Sequence, residues 1–172
     1  MWMICKKEWQ QFFSSITGYI AVIVFLLLLG LLLFVFPDTS LLDFGYATLN
    51  PFFELAPWVL LFFIPTITMR SLADEYKAGT FELLKTMPLQ SSQIVWGKFW
   101  GAILIVLAAI IPTLMYAFTM QHLSSTGGID VGATAGSYIG LILLSAVFVA
   151  VGVCSSSFTN NTVVAFIAGA FI

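Results

Sequence analysis

The stretch "MRSLADEYKAGTFELLKTMPLQSSQIVWGKF", residues 69–99, decides how the rest of this chain is read. Seven of the fourteen Lys, Arg, Asp and Glu residues fall inside it, and long apolar runs flank it on both sides. Across all 172 residues only 8% are charged and 60% are hydrophobic. A soluble domain is about 25% charged and about 45–50% apolar, so this chain lacks the polar surface needed to face water. The bilayer must be its main solvent, and the charged stretch is where it leaves that solvent. Six basic residues and a net charge of -2 leave no surface for nucleic acid.

Working outward from the stretch, the apolar runs have the lengths of bilayer crossings, which take about 20 residues. Residues 16–36 form a first span, too long for the apolar part of a signal peptide, which is about 7–15 residues. Residues 51–69 form a second, with Pro57 in a first-turn position and Pro65 expected to kink the helix. Residues 99–120 form a third, with a break at Pro112, and 131–154 a fourth, with Asp130 as its N-cap. Residues 155–161 read as a polar cytoplasmic turn, and 162–172 as the start of a fifth span that the chain does not finish. Ahead of the first span, Cys5, Trp9, Phe12, Phe13 and Ile16 recur on one helical face, with Lys6, Lys7, Glu8, Gln10 and Gln11 opposite. That pattern predicts an interfacial helix over residues 1–15.

All six basic residues lie before the first span or between the second and third; the loops 37–50 and 121–130 hold none. Cytoplasmic loops concentrate Lys and Arg, which puts the N-terminus and the 70–98 segment inside. Phe44, Tyr46 and Trp58 then belong to the outer interface, and Trp9, Trp96 and Trp100 to the inner one. Cys5 and Cys154 fall on the reducing side and read as two inert thiols.

Within the charged stretch, Leu72, Ala73, Tyr76, Leu83, Leu84 and Met87 share one side of a helix wheel, and Asp74, Glu75, Lys77, Glu82 and Lys85 share the other. Gly79-Thr80 interrupts the pattern: the glycine can end one helix and the threonine cap the next. Phe81 then stands among charges, as a protein-binding anchor does. Pro88 stops the helix, and Ser91 or Ser92 caps another that runs through Lys98 into the third span. An ordinary solvated loop has the same composition, and pattern alone does not separate the two.

The stretch resembles the signature of permease subunits of ABC-2 type transporters. Their second span is followed by E-x-x-x-G-T-x-E-x-L-x-x-x-P, here Glu75, Gly79, Thr80, Glu82, Leu84 and Pro88, and their third opens with V-x-G-K, here Val95, Gly97 and Lys98. The nearest likeness is to gliding-motility-associated permeases. The resemblance implies an all-α integral membrane protein, a polytopic bundle with six spans in a full-length member, of which this chain has four and part of a fifth. It implies that the segment holding Arg70, Asp74, Glu75, Lys77, Gly79, Thr80, Phe81, Glu82, Leu84 and Pro88 is a coupling helix docked on a separate cytoplasmic ABC ATPase. It further implies a second permease subunit, the same or different, and a place in the inner membrane. Pro65 and Pro112 are then either flex points or static kinks.

Gly132, Gly136 and Gly140 recur at i+4 along the fourth span, a spacing that lets helix backbones approach closely. We expect this contact within the bundle, with a contact across a permease pair as the alternative. Gly97 and Gly101 repeat the pattern at the foot of the third span.

The spans 16–36, 55–69, 99–120 and 131–153 contain no Asp, Glu, Lys, Arg or His, so an intramembrane enzyme or an ion-coupled carrier has no working groups. His122 is the single histidine, which leaves no ligand set for a metal. No G-x-x-x-x-G-K-[ST] occurs, so this chain binds no ATP cofactor itself and hydrolysis belongs to another chain. A membrane scaffold that recruits a cytoplasmic partner without transport is the alternative reading.

Overall fold

The structure, a computed structural model, describes residues 2–36, 48–73, 79, 91–123, 128–159 and 161–171. Most of the described residues are helical, and none lies in a strand. Helix α1 spans Trp2–Ser14, α2 Ile16–Phe34, α3 Asn50–Thr68 and α4 Ser91–Ile110. A 3₁₀ turn, Ile111–Thr113, joins α4 to α5, Leu114–Leu123; α6 spans Val131–Ser157 and α7 Thr162–Phe171. By length and apolarity four segments can cross a membrane: α2, α3, α4 together with α5, and α6.

Successive crossings run antiparallel, so the start of α2, the end of α3, the start of α4, the end of α6 and the start of α7 gather at one end of the bundle. Helix α1 packs across the foot of α4 at that same end. It therefore holds Lys6, Lys7, Arg70 and Lys98, whereas Glu54 and Asp130 lie at the other. We call it the basic end.

The spans stay together because each buries one stripe of an otherwise lipid-facing surface. Phe25 of α2 stacks on Phe63 of α3, ring centroids 4.5 Å apart. Leu29, Leu33, Leu60, Ile64, Val106 and Val149 complete a dry core with α3 near its centre. In lipid the hydrophobic effect between helices is largely absent, so close packing must do more of the work. It does so at Gly152 of α6, where an added Cβ would overlap Thr68 Oγ1, and at Gly169 of α7, which rests on Pro65 and on the Gly152 backbone.

Proline acts differently in the two places the sequence marks. Helix α3 runs as one helix through Pro57 and Pro65, with Met69 N donating to the Pro65 carbonyl at 2.8 Å. Pro65 is buried against α7. At Pro112 the missing N–H tightens the chain into the 3₁₀ turn. Its polar groups are met locally: Thr113 Oγ1 donates to the Ile110 carbonyl at 2.6 Å, and Tyr138 Oη of α6 donates to the Thr113 carbonyl at 3.1 Å. At membrane depth such side chains are what make a break tolerable. Asp130 caps α6 as expected, its Oδ1 accepting from Gly132 N at 2.9 Å and Ala133 N at 3.1 Å.

Three expectations are corrected. Gly136 and Gly140 face outward with nothing within 4 Å of an added Cβ, and Gly132 meets only its neighbour Asp130, so the expected contact within the bundle is absent among the described residues. The glycines that allow close approach are Gly18, Gly101 and Gly152. Residues 155–157 are not a turn; α6 runs to Ser157, and Ser155 and Ser156 are buried. Finally, Ile16 belongs to α2 and is exposed, and the buried residues of α1 are Ile4 and Cys5.

Candidate functional site

The charged stretch lies between α3 and α4 in the sequence, and both of its roots are fastened at the basic end. At the first root, Ser156 Oγ accepts from Leu72 N and Ala73 N, each at 3.1 Å, and donates to the Met69 carbonyl at 3.3 Å. A hydroxyl from the far end of α6 thus meets two backbone donors just past α3. Arg70 is exposed, and its Nη1 donates to Thr17 Oγ1 at the start of α2, at 3.2 Å.

At the second root, Lys98 is buried to 1% exposure in the first two turns of α4. Its Nζ donates to Glu8 Oε1 of α1 at 2.8 Å and to the Ser71 carbonyl. An unpaired buried ammonium costs several kcal/mol, and pairing within a hydrogen-bonded cluster is what makes such burial tolerable. Glu8 reaches it because α1 lies close: an added Cβ on Gly101 would meet Glu8 Cβ at 2.8 Å. The carboxylate is 16% exposed, so the pair sits at the bundle's edge. One lysine thus ties α1, the end of α3 and the foot of α4 together, while Ser156 adds α6.

The sequence-derived site divides accordingly. Arg70 lies at the first root, and Gly97 and Lys98 are buried at the second, with Val95 exposed beside them. Gly79 is exposed with φ +67°, a backbone that glycine adopts without strain and that suits the break read at Gly79-Thr80. Asp74, Glu75, Lys77, Thr80, Phe81, Glu82, Leu84 and Pro88 lie outside the described residues. Glu8, Ser71 and Ser156 were not singled out from the sequence. Glu8 had been placed on the solvent side of α1; a lone acid on α1 and a lone cation at the foot of α4 were the signal that joins them. The "SSS" at 155–157 was read as a turn because hydroxyls at the end of an apolar run look like a span's exit.

The basic end also contains a cavity of about 400 Å³ between α1 and the adjoining ends of α2, α3 and α4. Thr17, Arg70 and Ser71 are among its walls. Cys5, on the buried side of α1, has its thiol pKa pushed up, first by burial and then by the Glu8 carboxylate.

These features define a polytopic helical membrane protein with a charged segment rooted at one end. Residues 47–172 match the family described as ABC-2 family transporter protein, and the chain belongs to that family. Its members are membrane subunits of ATP-binding cassette transporters, which work with an ABC ATPase. No curated protein and no solved structure matches the chain.

Proposed function

We propose that this chain is the permease subunit through which a separate cytoplasmic ATPase drives export or mechanical work across the inner membrane, with its N-terminus and the 70–98 segment on the cytoplasmic side. The observation that favours coupling over a passive loop is the double fastening of that segment. Ser156 grips one root and Lys98 the other, and through Glu8 the second reaches α1. A displacement of the segment would therefore pass to α1, α3, α4 and α6 together, as a rigid-body or shear transition requires. The gathering of Lys6, Lys7, Arg70 and Lys98 at that end supports the orientation.

In this reading Arg70, Asp74, Glu75, Lys77, Gly79, Thr80, Phe81, Glu82, Leu84 and Pro88 form the docking surface, with Phe81 as its anchor. The open Gly132–Gly136–Gly140 face of α6 is where a second permease, the same or different, would lie. Service in gliding motility is part of the proposal and rests on the sequence likeness alone.

The test is co-purification with the ATPase encoded beside it, followed by an ATPase assay in liposomes. Phe81→Asp and Glu82→Lys should each abolish complex formation while leaving the thermal unfolding of the membrane chain where it was. Unchanged binding and activity would refute the docking surface. Recruitment of the ATPase by the wild-type chain with no change in its turnover would favour the scaffold alternative.

A further inference from the structure

We infer that the basic end is a binding site for an anionic phospholipid, with the headgroup phosphate in the cavity beside α1 and an acyl chain along the groove between α2 and α3. Two observations, independent of each other, meet here. The first is a buried polar atom without a partner. Ser71 is 8% exposed and lines the cavity, and its Oγ has no hydrogen-bond partner. Buried hydroxyls are nearly always paired, so one left unpaired on a cavity wall points to a polar ligand atom. Arg70 lines the same cavity and gives one donor to Thr17. A guanidinium has five donors, so others remain to reach a phosphate oxygen. Lys7 adds a second cation to the lining, and Glu8, the one carboxylate among the described lining residues, is answered by Lys98. The described lining therefore carries net positive charge.

The second observation is what the cavity adjoins. A groove of about 570 Å³ runs between α2 and α3, walled by Ile20, Val24, Leu28 and Leu32 on one side and Trp58 and Phe62 on the other. It shares Thr17, Ala21 and Thr66 with the cavity, so the two lie side by side. From Thr17 to Leu32 the groove extends about 22 Å at 1.5 Å per residue. Half of a ~30 Å hydrocarbon core is about 15 Å, so an acyl chain fits within its length. A polar chamber with a guanidinium and an unpaired hydroxyl, beside an apolar trough at least one leaflet deep, has the shape and chemistry of a phospholipid. A soluble anion would leave the trough empty, and a zwitterionic lipid would bring no net counter-charge to Arg70. The site does not depend on the ATPase reading and is tested on the permease alone.

The full chain, purified in detergent, is titrated with phosphatidylglycerol, with phosphatidylcholine of the same acyl chains, or with inorganic phosphate, and bound lipid is counted by native mass spectrometry. Charge-assisted hydrogen bonds of the Arg70 kind should make phosphatidylglycerol bind at least about tenfold more tightly than phosphatidylcholine. Arg70→Gln should erase that preference, and Ser71→Ala should weaken it. Val24→Trp fills the trough and should remove both lipids; Leu28→Trp replaces it if the first variant misfolds by circular dichroism. Inorganic phosphate should not compete. Three results would overturn the proposal: no preference for the anionic lipid, a preference that survives Arg70→Gln and Ser71→Ala together, or competition by phosphate alone. Cross-linking of two copies through Leu28→Cys, undiminished by phosphatidylglycerol, would assign the trough to a second copy and also overturn it.

Discussion

The Lys98–Glu8 pair makes an asymmetric prediction. Lys98 is 1% exposed and Glu8 16% exposed, so the two partners are not equally dependent on each other. Glu8→Gln leaves an ammonium deep in the bundle, still near the Ser71 carbonyl but without the Glu8 charge beside it. Breaking a buried pair in this way costs about 3–5 kcal/mol. Lys98→Met leaves a carboxylate at the bundle's edge that water can reach, and the new side chain fills much of the lysine's apolar space. We expect it to cost less, about 1–2 kcal/mol. The double variant removes both charges, and its cost should fall below the sum of the singles by about 1–3 kcal/mol, the range for residues in one network. The assay is reversible unfolding of the purified chain in mixed micelles, read by helicity and by tryptophan fluorescence. Single variants that add within about 0.5 kcal/mol would refute the reasoning, because that is how independent sites behave. So would an inverted order, with Lys98→Met the more damaging.

Further expectations follow from the same geometry. Gly152→Ala, where the new Cβ overlaps Thr68 Oγ1, should destabilise by about 1–3 kcal/mol in the same unfolding assay. Gly136→Ala, with open space around it, should be neutral or stabilise by up to about 1 kcal/mol; equal effects would refute the packing assignment. Asp130→Ala removes both acceptor contacts at the start of α6 and should cost about 1 kcal/mol, with Asp130→Asn retaining most of the cap. The raised Cys5 pKa means that the folded protein keeps its proton at pH values where an ordinary thiol, at 9.0, has lost it. Above that value the unfolded chain binds fewer protons than the folded one, so stability should fall as pH climbs through it. Maleimide should accordingly label Cys5 more slowly than a thiol placed by Ser14→Cys on the exposed side of α1.

What the sequence disclosed follows from what the membrane makes conspicuous. Spans announce themselves because uninterrupted apolarity at bilayer length has few other uses, and α2, α3, α4 with α5, and α6 all lie where the runs were. Asp130 and Pro112 were legible because a cap and a proline act through their own backbone neighbours. Contacts across the chain were not. In a sequence where nearly every face is apolar, periodicity cannot tell a lipid-facing stripe from a helix-facing one. The spaced glycines at 132, 136 and 140 therefore looked like the packing seam, while Gly152, alone in its run, is the one pressed against Thr68. Lys98 was legible as a motif member and misleading as a charge, since charges at a span's foot usually reach for water. Its burial depends on Glu8, whose position relative to α4 no local pattern encodes.

That same pair has a consequence for biogenesis. Glu8 and Lys98 stand 90 positions apart. At about 5–20 residues per second, the ribosome needs roughly 5–20 s to make the intervening chain. Through that interval the leading helix has no ammonium for its carboxylate and no glycine notch to settle into. It must wait afloat on the lipid surface, held by its aromatic side, until the insertion machinery delivers the third crossing. A chain whose leading helix cannot float would therefore be lost during manufacture, before any defect in the finished protein could be measured.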